Sequence, residues 1–232
     1  MQKIIQALFL LYFSFSLQAQ QITKTFKIGA GEDISAALSI YGVYKFPGFI
    51  YGIVLFKDGT NTKAKMNFNV FLNDMQFIDN KGDTLAINQP ELIDSIKLDS
   101  NIFYFDKGYC EIITDYINAK LIKKEKINYE IVKKGAYDLP ARGASIETYG
   151  LSGINYNPAK TLTLNQDIII KKETSYLVSY KKYRTVRANE KGFLSAFPDI
   201  KKEVMDFIET NKTDFTKEED IKKLLKFCSE HI

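Results

Sequence analysis

Hydrophobic and polar positions alternate with a period of two through much of the chain after Gly48, and the period lengthens to that of a helix only after residue 188. The clearest alternation places Thr62, Ala64, Met66, Phe68, Val70 and Leu72 on one side and Lys63, Lys65, Asn67 and Asn69 on the other. This predicts a half-buried antiparallel strand with a wet outer face. The preceding run, Phe49 to Phe56, is apolar at nearly every position and so reads as a strand covered on both faces. Asp58-Gly59 joins the two, and both residues tolerate the positive φ of a tight hairpin turn.

Shorter strands follow, each ended by turn chemistry. Met75–Ile78 stops at Asn80-Lys81-Gly82-Asp83, Thr84–Ile87 stops before Pro90, and Ser95–Leu98 stops at Asp99-Ser100. Ile102–Phe105 turns at Asp106-Lys107-Gly108 into Tyr109–Tyr116, and Ala119–Lys124 and Ile127–Val132 complete the run. Between 135 and 160 the periodicity stops among Gly135, Pro140, Gly143, Gly150, Gly153 and Pro158. Strands resume at Thr161–Leu164, Ile168–Lys171, Ser175–Tyr180 and Tyr183–Arg187. With no helical pattern between them, these strands predict a meandering antiparallel sheet shaped as a roll, sandwich or partly open barrel.

The end of the chain is helical. Glu190–Phe197 forms a first short helix, and Pro198 sits where a first-turn proline is tolerated. Ile200, Val204, Phe207 and Ile208 make one apolar stripe, and Ile221, Leu224, Leu225 and Cys228 another, with Thr216 and Glu219 spaced as a capping box. The fold class is therefore mainly β with a C-terminal α-helical tail of two or three helices. Its expected divisions are a leader at 1–19, an N-terminal segment at 20–47, the β-rich domain at 48–187 and the helices at 188–232. Ile34, Leu38 and Tyr41, between Asp33 and Gly42, suggest a short helix in the N-terminal segment.

The leader decides the compartment. Lys3, the apolar run Ile4–Leu17 and the small residue Ala19 have the form of a secretory signal peptide. The run is shorter than the ~20 residues that span a hydrocarbon core. Periplasmic or extracellular delivery through a cleaved leader is expected, with no transmembrane segment in the mature chain.

Composition narrows the chemistry further. There are 32 basic and 28 acidic residues, and the basic ones form no chain-wide stripe, so nucleic acid is not an expected partner. One His and two Cys leave no zinc-ligand spacing and no Ser-His or Cys-His pair, and no cofactor or metal is implied. His231 lies at a fraying end. Cys110, in a strand, and Cys228, on a helix's apolar face, read as buried thiols, with a disulfide between them as the alternative. Asp79-Asn80-Lys81-Gly82-Asp83 resembles a calcium loop, but Lys81 and the missing distal Glu make it a simple turn.

A signal peptide, the hairpin Phe56-Lys57-Asp58-Gly59, the strand Tyr176-Leu177-Val178 and the blocks Phe197 to Glu203 and Lys217 to Asp220 together resemble a family of uncharacterised secreted proteins from Bacteroidota-type Gram-negative bacteria. The resemblance implies an envelope location and brings no catalytic residues.

Two stretches carry candidate recognition chemistry. Tyr137, Arg142, Tyr149 and Tyr156 lie in the Gly- and Pro-rich segment, and Tyr180, Tyr183, Arg184 and Arg187 combine aromatic faces with cations. These eight are the candidate ligand- or partner-binding residues, and no catalytic residue is assigned. The expected function is a non-enzymatic envelope module that binds an envelope protein, a glycan or a lipid. The rivals are a hydrolase using two of the β-domain carboxylates, or a carrier holding an apolar ligand between sheet and tail helices.

Overall fold

A computed structural model describes residues 22–29, 42, 44–116, 118–132, 148–150, 167–181 and 185–232. Twelve strands form one antiparallel sheet. They are β1 Ile22–Ile28, β2 Ile50–Phe56, β3 Asn61–Asn69, β4 Asp74–Ile78, β5 Thr84–Ala86, β6 Ile93–Leu98, β7 Asn101–Phe105, β8 Tyr109–Tyr116, β9 Ala119–Val132, β10 Thr148–Gly150, β11 Asp167–Tyr180 and β12 Val186–Arg187. Helices α1 Glu190–Ala196, α2 Lys201–Asn211 and α3 Glu218–Glu230 follow. The fold is a mainly β, meandering, open antiparallel sheet with three C-terminal helices.

Along the sheet the order is β1-β11-β9-β8-β7-β6-β2-β3-β4-β5, with β10 also on β9 and β12 also on β11. Registration puts Met75, Phe68, Val54, Ile96, Phe103, Glu111, Lys123, Tyr176 and Val178 on one face, here called inner. That face carries two separate cores. One, around β8, β9 and β11, joins Leu121 and Val178 to Phe193, Phe197, Val204, Ile221, Leu224 and Leu225 of the helical region. The other gathers Val54, Met66, Phe68, Met75, Ile93, Ile96, Leu98, Phe103 and Tyr109, with no α-helix over it among the described residues.

The second core closes because the sheet curls. Asn73, in the β3–β4 turn, accepts from the Tyr109 N–H at 2.8 Å and donates to the Glu125 carbonyl at 2.9 Å. Following the hydrogen-bonded path from β3 to β8 crosses four strand spacings, roughly 19 Å if the sheet were flat. Only a roll brings these groups together. Asn73 takes φ +53°, a left-handed conformation that Asn adopts more readily than most residues. Across the clasp, Gly108 has φ +119°, and a Cβ there would meet the Asn73 Oδ1 at 2.7 Å.

The structure corrects several sequence expectations. Strand β2 is covered on one face only: Gly52 and Val54 are buried, whereas Tyr51, Ile53 and Leu55 are exposed. The outer face of β3 is wet only over its first half. Asn67 and Asn69 are buried beneath the segment 44–48, which Asn67 holds by accepting from the Phe46 N–H and donating to the Phe46 and Gly48 carbonyls. A side-chain amide satisfies irregular backbone there as another strand would. The two runs expected at 119–124 and 127–132 are one strand, β9, and those at 168–171 and 175–180 are one strand, β11. Their polar interruptions, Glu125 and Thr174, face each other in register and do not break pairing. Strand β1, which the sequence left undetermined, pairs along β11 from Ile22↔Thr174 to Ile28↔Ile168.

The expected capping box is absent. Helix α3 starts at Glu218, the Thr216 hydroxyl donates instead to Asp214 at 2.6 Å, and Glu219 pairs with Lys222. Helix α1 does have a side-chain cap, Asn189 accepting from the Gly192 N–H at 2.8 Å. Cys110 and Cys228 are both buried and free. Burial pushes the Cys228 thiol up to about 12, which suits an inert core group. The suggested helix around Ile34, Leu38 and Tyr41 and the strand Thr161–Leu164 lie outside the described residues.

Candidate functional site

Of the eight candidate binding residues, Tyr137, Arg142, Tyr156, Tyr183 and Arg184 lie outside the described residues. Tyr149 is in β10, opposite Tyr129 of β9, so part of the irregular segment returns to the sheet. Tyr180 and Arg187 come together with Lys181 in a concavity of about 850 Å³ at the sheet edge, where β12 meets α1. Leu177, Thr185, Val186, Ser195, Ala196, Pro198 and Asp199 complete its wall. Tyr180 is nevertheless a core residue: its ring packs, tilted, 4.9 Å from that of Phe197 and the Lys181 ammonium lies 4.7 Å over it. It shapes the concavity's floor, while Arg187 remains exposed at its rim.

A second cavity, of about 540 Å³, opens in the curled half of the sheet, where no local motif marks it. Val54 and Phe56 of β2, Thr62, Ala64 and Met66 of β3, Phe77 of β4, Leu85 and Ala86 of β5, and Ile93 of β6 line it. Ile87 and Asn88 close it from the connection between β5 and β6. That connection must carry the chain from one end of the path past β4, β3 and β2. It is tied down at Ile87, whose N–H bonds the Met75 carbonyl at 3.1 Å, and at Leu92, whose carbonyl accepts from Lys57 at 3.0 Å. The lining has no charged residue, and only Thr62 and Asn88 bring polar side chains. Such a cleft favours an aliphatic guest by excluding water from both surfaces, at ~25 cal/mol per Å² buried. Its volume falls in the range of about 300–1,000 Å³ usual for small-ligand sites.

The ionisable groups form a seam between the two cores. Glu111, 6% exposed, accepts from Lys45 and, at 2.7 Å, from Asn101. Beyond it Lys123 contacts both Glu125 and Glu218 at 3.8 Å, Lys172 pairs with Glu125 at 3.0 Å, and the Tyr176 hydroxyl donates to Glu218 at 3.0 Å. Burial by itself would raise the Glu218 carboxyl. Hydrogen bonds from Lys222 and Tyr176 and the charges of Lys123 and Lys222 outweigh it, so the group sits below the ordinary glutamate range. A carboxyl held ionised in this way is suited to bracing α3 against β9 and β11 and not to donating a proton. Lys123 and Lys172 are thus structural cations.

Other carboxylates serve turns. Asp79 accepts from the N–H groups of Lys81 and Asp83, both at 2.8 Å. Among the described residues no group of three or more His, Cys, Asp or Glu side chains is placed to hold a metal ion, and no helix is long and apolar enough to cross a membrane. The His231 ring packs, tilted, 4.1 Å from that of Phe227 and its Nδ1 lies 2.7 Å from the Phe227 carbonyl. The Tyr109 hydroxyl, buried in the curled core, has no hydrogen-bond partner among the described residues. No protein-family model, curated protein or solved structure matches this chain.

Proposed function

We propose that the chain is an exported, non-enzymatic ligand-binding module of the cell envelope, whose curled sheet seats the aliphatic chain of an amphiphile. The apolar cleft between β2–β6 and the β5–β6 connection carries this reading. With no charge in its wall, the ligand's polar head stays at the mouth, beside Thr62, Asn88 and the exposed Leu85. This moves the carrier idea away from the tail helices, whose contact with the sheet is packed by Leu121, Val178, Leu224 and Leu225 and whose neighbouring concavity has Lys181, Arg187 and Asp199 in its wall. Ion-paired and turn-bound carboxylates weigh against the hydrolase reading. The leader at 1–19 supports delivery to the envelope.

Displacement of a fluorescent fatty acid from the purified chain tests the cleft. Saturable binding is expected, weakened at least about tenfold by Ala64→Phe, because a ring placed in the cleft takes the guest's volume. Leu85→Gln, at the exposed mouth, gives an independent and smaller loss. Absence of saturable binding, or binding unchanged in both variants, would reject the reading.

A second reading has its own observation, the concavity holding Arg187 and Lys181. There the module would steer an anionic group of an envelope partner. Arg187→Ala should then weaken a salt-sensitive interaction without affecting fatty-acid binding.

A further inference from the structure

The outer surface of the β2–β3 hairpin has no role in the cleft. Tyr51, Ile53 and Leu55 are successive outward positions of β2, exposed at 72%, 41% and 38%. They are three of the largest apolar groups left open on the described surface, and they are contiguous. Registration frames them with cations: Tyr51 pairs with Lys65 and Ile53 with Lys63 on β3, while Ile53 also lies opposite Lys97 of β6. The Lys65 ammonium lies 5.4 Å from the Tyr51 ring centre. None of the three lysines makes an ion pair among the described residues. The only acid in β2, β3 or β6 is Asp94, the extra residue of the bulge opposite Leu55 and Phe56.

The dimensions match a flat, anionic and partly apolar surface. Strands lie ~4.8 Å apart, so the Lys63–Lys65 pair and Lys97 stand about 10 Å from each other across β2, with an apolar ridge about 13 Å long between them. At a membrane the aliphatic side chains enter the headgroup–acyl boundary, tyrosine takes the interface, and long lysine side chains reach phosphate oxygens while their stems remain over apolar surface. A small polar ligand would find no concavity here.

We infer that the outer face of the β2–β3 hairpin, with Lys97 of β6, adsorbs to anionic phospholipid bilayers. The inference uses none of the cleft residues and stands whether or not the cleft takes an aliphatic chain.

Co-sedimentation with vesicles of phosphatidylcholine, alone or mixed with phosphatidylglycerol, tests it on the full chain recovered from an exporting host, every variant sharing the same N-terminus. Partition into the anionic vesicles should exceed that into the neutral ones and fall with added salt. Replacing Lys63, Lys65 and Lys97 together by Gln should lower it about fivefold per lysine, on the order of a hundredfold in all. The chain contains no Trp, so Tyr51→Trp provides a single reporter on an otherwise unaltered face. Its emission should shift to the blue on adding anionic vesicles, even if the triple variant is poorly folded. Equal partition into both vesicle types, a triple variant that partitions like the parent, or a reporter unmoved by vesicles each overturns the inference. Capture on polyglutamate without vesicle partition also overturns it, in favour of an acidic protein partner.

Discussion

At one end of the sheet, β8, β9 and β11 lie under three helices and share one buried core with them. At the other, β2 to β6 have no α-helix over them among the described residues and close by curling, leaving a cleft of about 540 Å³. The same antiparallel face serves both. Helices bring side chains from a second layer, and Phe193, Phe197, Leu224 and Leu225 pack with Leu121 and Val178 into one buried cluster, the concavity lying at its edge beside β12 and α1. A sheet bent on itself can fill its interior only from its own inward positions. On β3 these include Ala64, whose short side chain leaves space beside Phe77 and Leu85, whereas Gly52 on β2 is covered by Leu98 and Met66. Gly52 is fixed by its neighbours, since a Cβ there would lie 2.8 Å from the Lys97 carbonyl and 2.3 Å from Leu98. One half is built for cohesion, and the other retains room for a guest.

The contrast is sharpest for core truncations. Leu224→Ala, in the helix-covered half, should cost about 3 kcal/mol, because a wholly enclosed side chain leaves a cavity that helix and sheet cannot close. Urea unfolding measures it, and a cost below that of Leu85→Ala at the cleft would erase the distinction between the halves. Asn73→Ala attacks the curled half at its clasp and should cost about 2 kcal/mol, since it leaves the Tyr109 N–H and the Glu125 carbonyl unpaired. Faster amide exchange should appear at Tyr109 and in β4 before α3. Uniform exchange throughout the chain would show that the halves do not open separately.

Glu218→Gln tests the seam between them and should cost about 1 kcal/mol at neutral pH, through the lost Lys123 and Lys222 contacts and the weakened Tyr176 hydrogen bond. The sign of its pH dependence follows from a carboxyl that is more acidic in the folded chain than in the unfolded one. Its stabilisation is complete above the ordinary glutamate range and is lost as pH falls through the depressed folded value. The variant should therefore differ most from the parent near neutrality and converge with it in acid. A difference that grows on acidification would contradict the assignment.

The smallest effect is expected at Tyr109→Phe. An unpartnered buried hydroxyl adds nothing to cohesion, so its removal should leave stability unchanged or raise it by up to about 1 kcal/mol. Destabilisation measured by thermal unfolding would reveal a partner for that oxygen.

Much of the fold was legible because it depends on local pattern. Asp58-Gly59 and Lys107-Gly108 occupy the turns they were expected to occupy, with Gly59 at φ +85° and Gly108 at φ +119°. The stripe Ile221, Leu224, Leu225 and Cys228 is buried, as its spacing required. The site was far less legible. Phe77, Leu85 and Ile93 belong to separate strands and read as ordinary core positions, and nothing local says that a void lies between them. Tyr180 read as a recognition residue because its type and neighbours suit one, yet Phe197, seventeen positions away in the chain, occupies the face it would offer.

Sequence by itself determined the strands, the turns, the helical tail and the scarcity of imidazole and thiol chemistry, since each follows from residue type and short-range spacing. Tertiary structure alone decided which apolar positions became exposed and which polar ones buried. Tyr51, Ile53 and Leu55 emerged on an open face because no layer among the described residues lies over that side of β2, whereas Asn67 and Glu111 were buried against the chain at 44–48, whose irregular backbone and Lys45 they bond, and Asn69 against Gln76 and the Leu72 N–H. Burial depends on what another part of the chain places above a residue, and that is a property of the curl, which no short stretch of sequence contains.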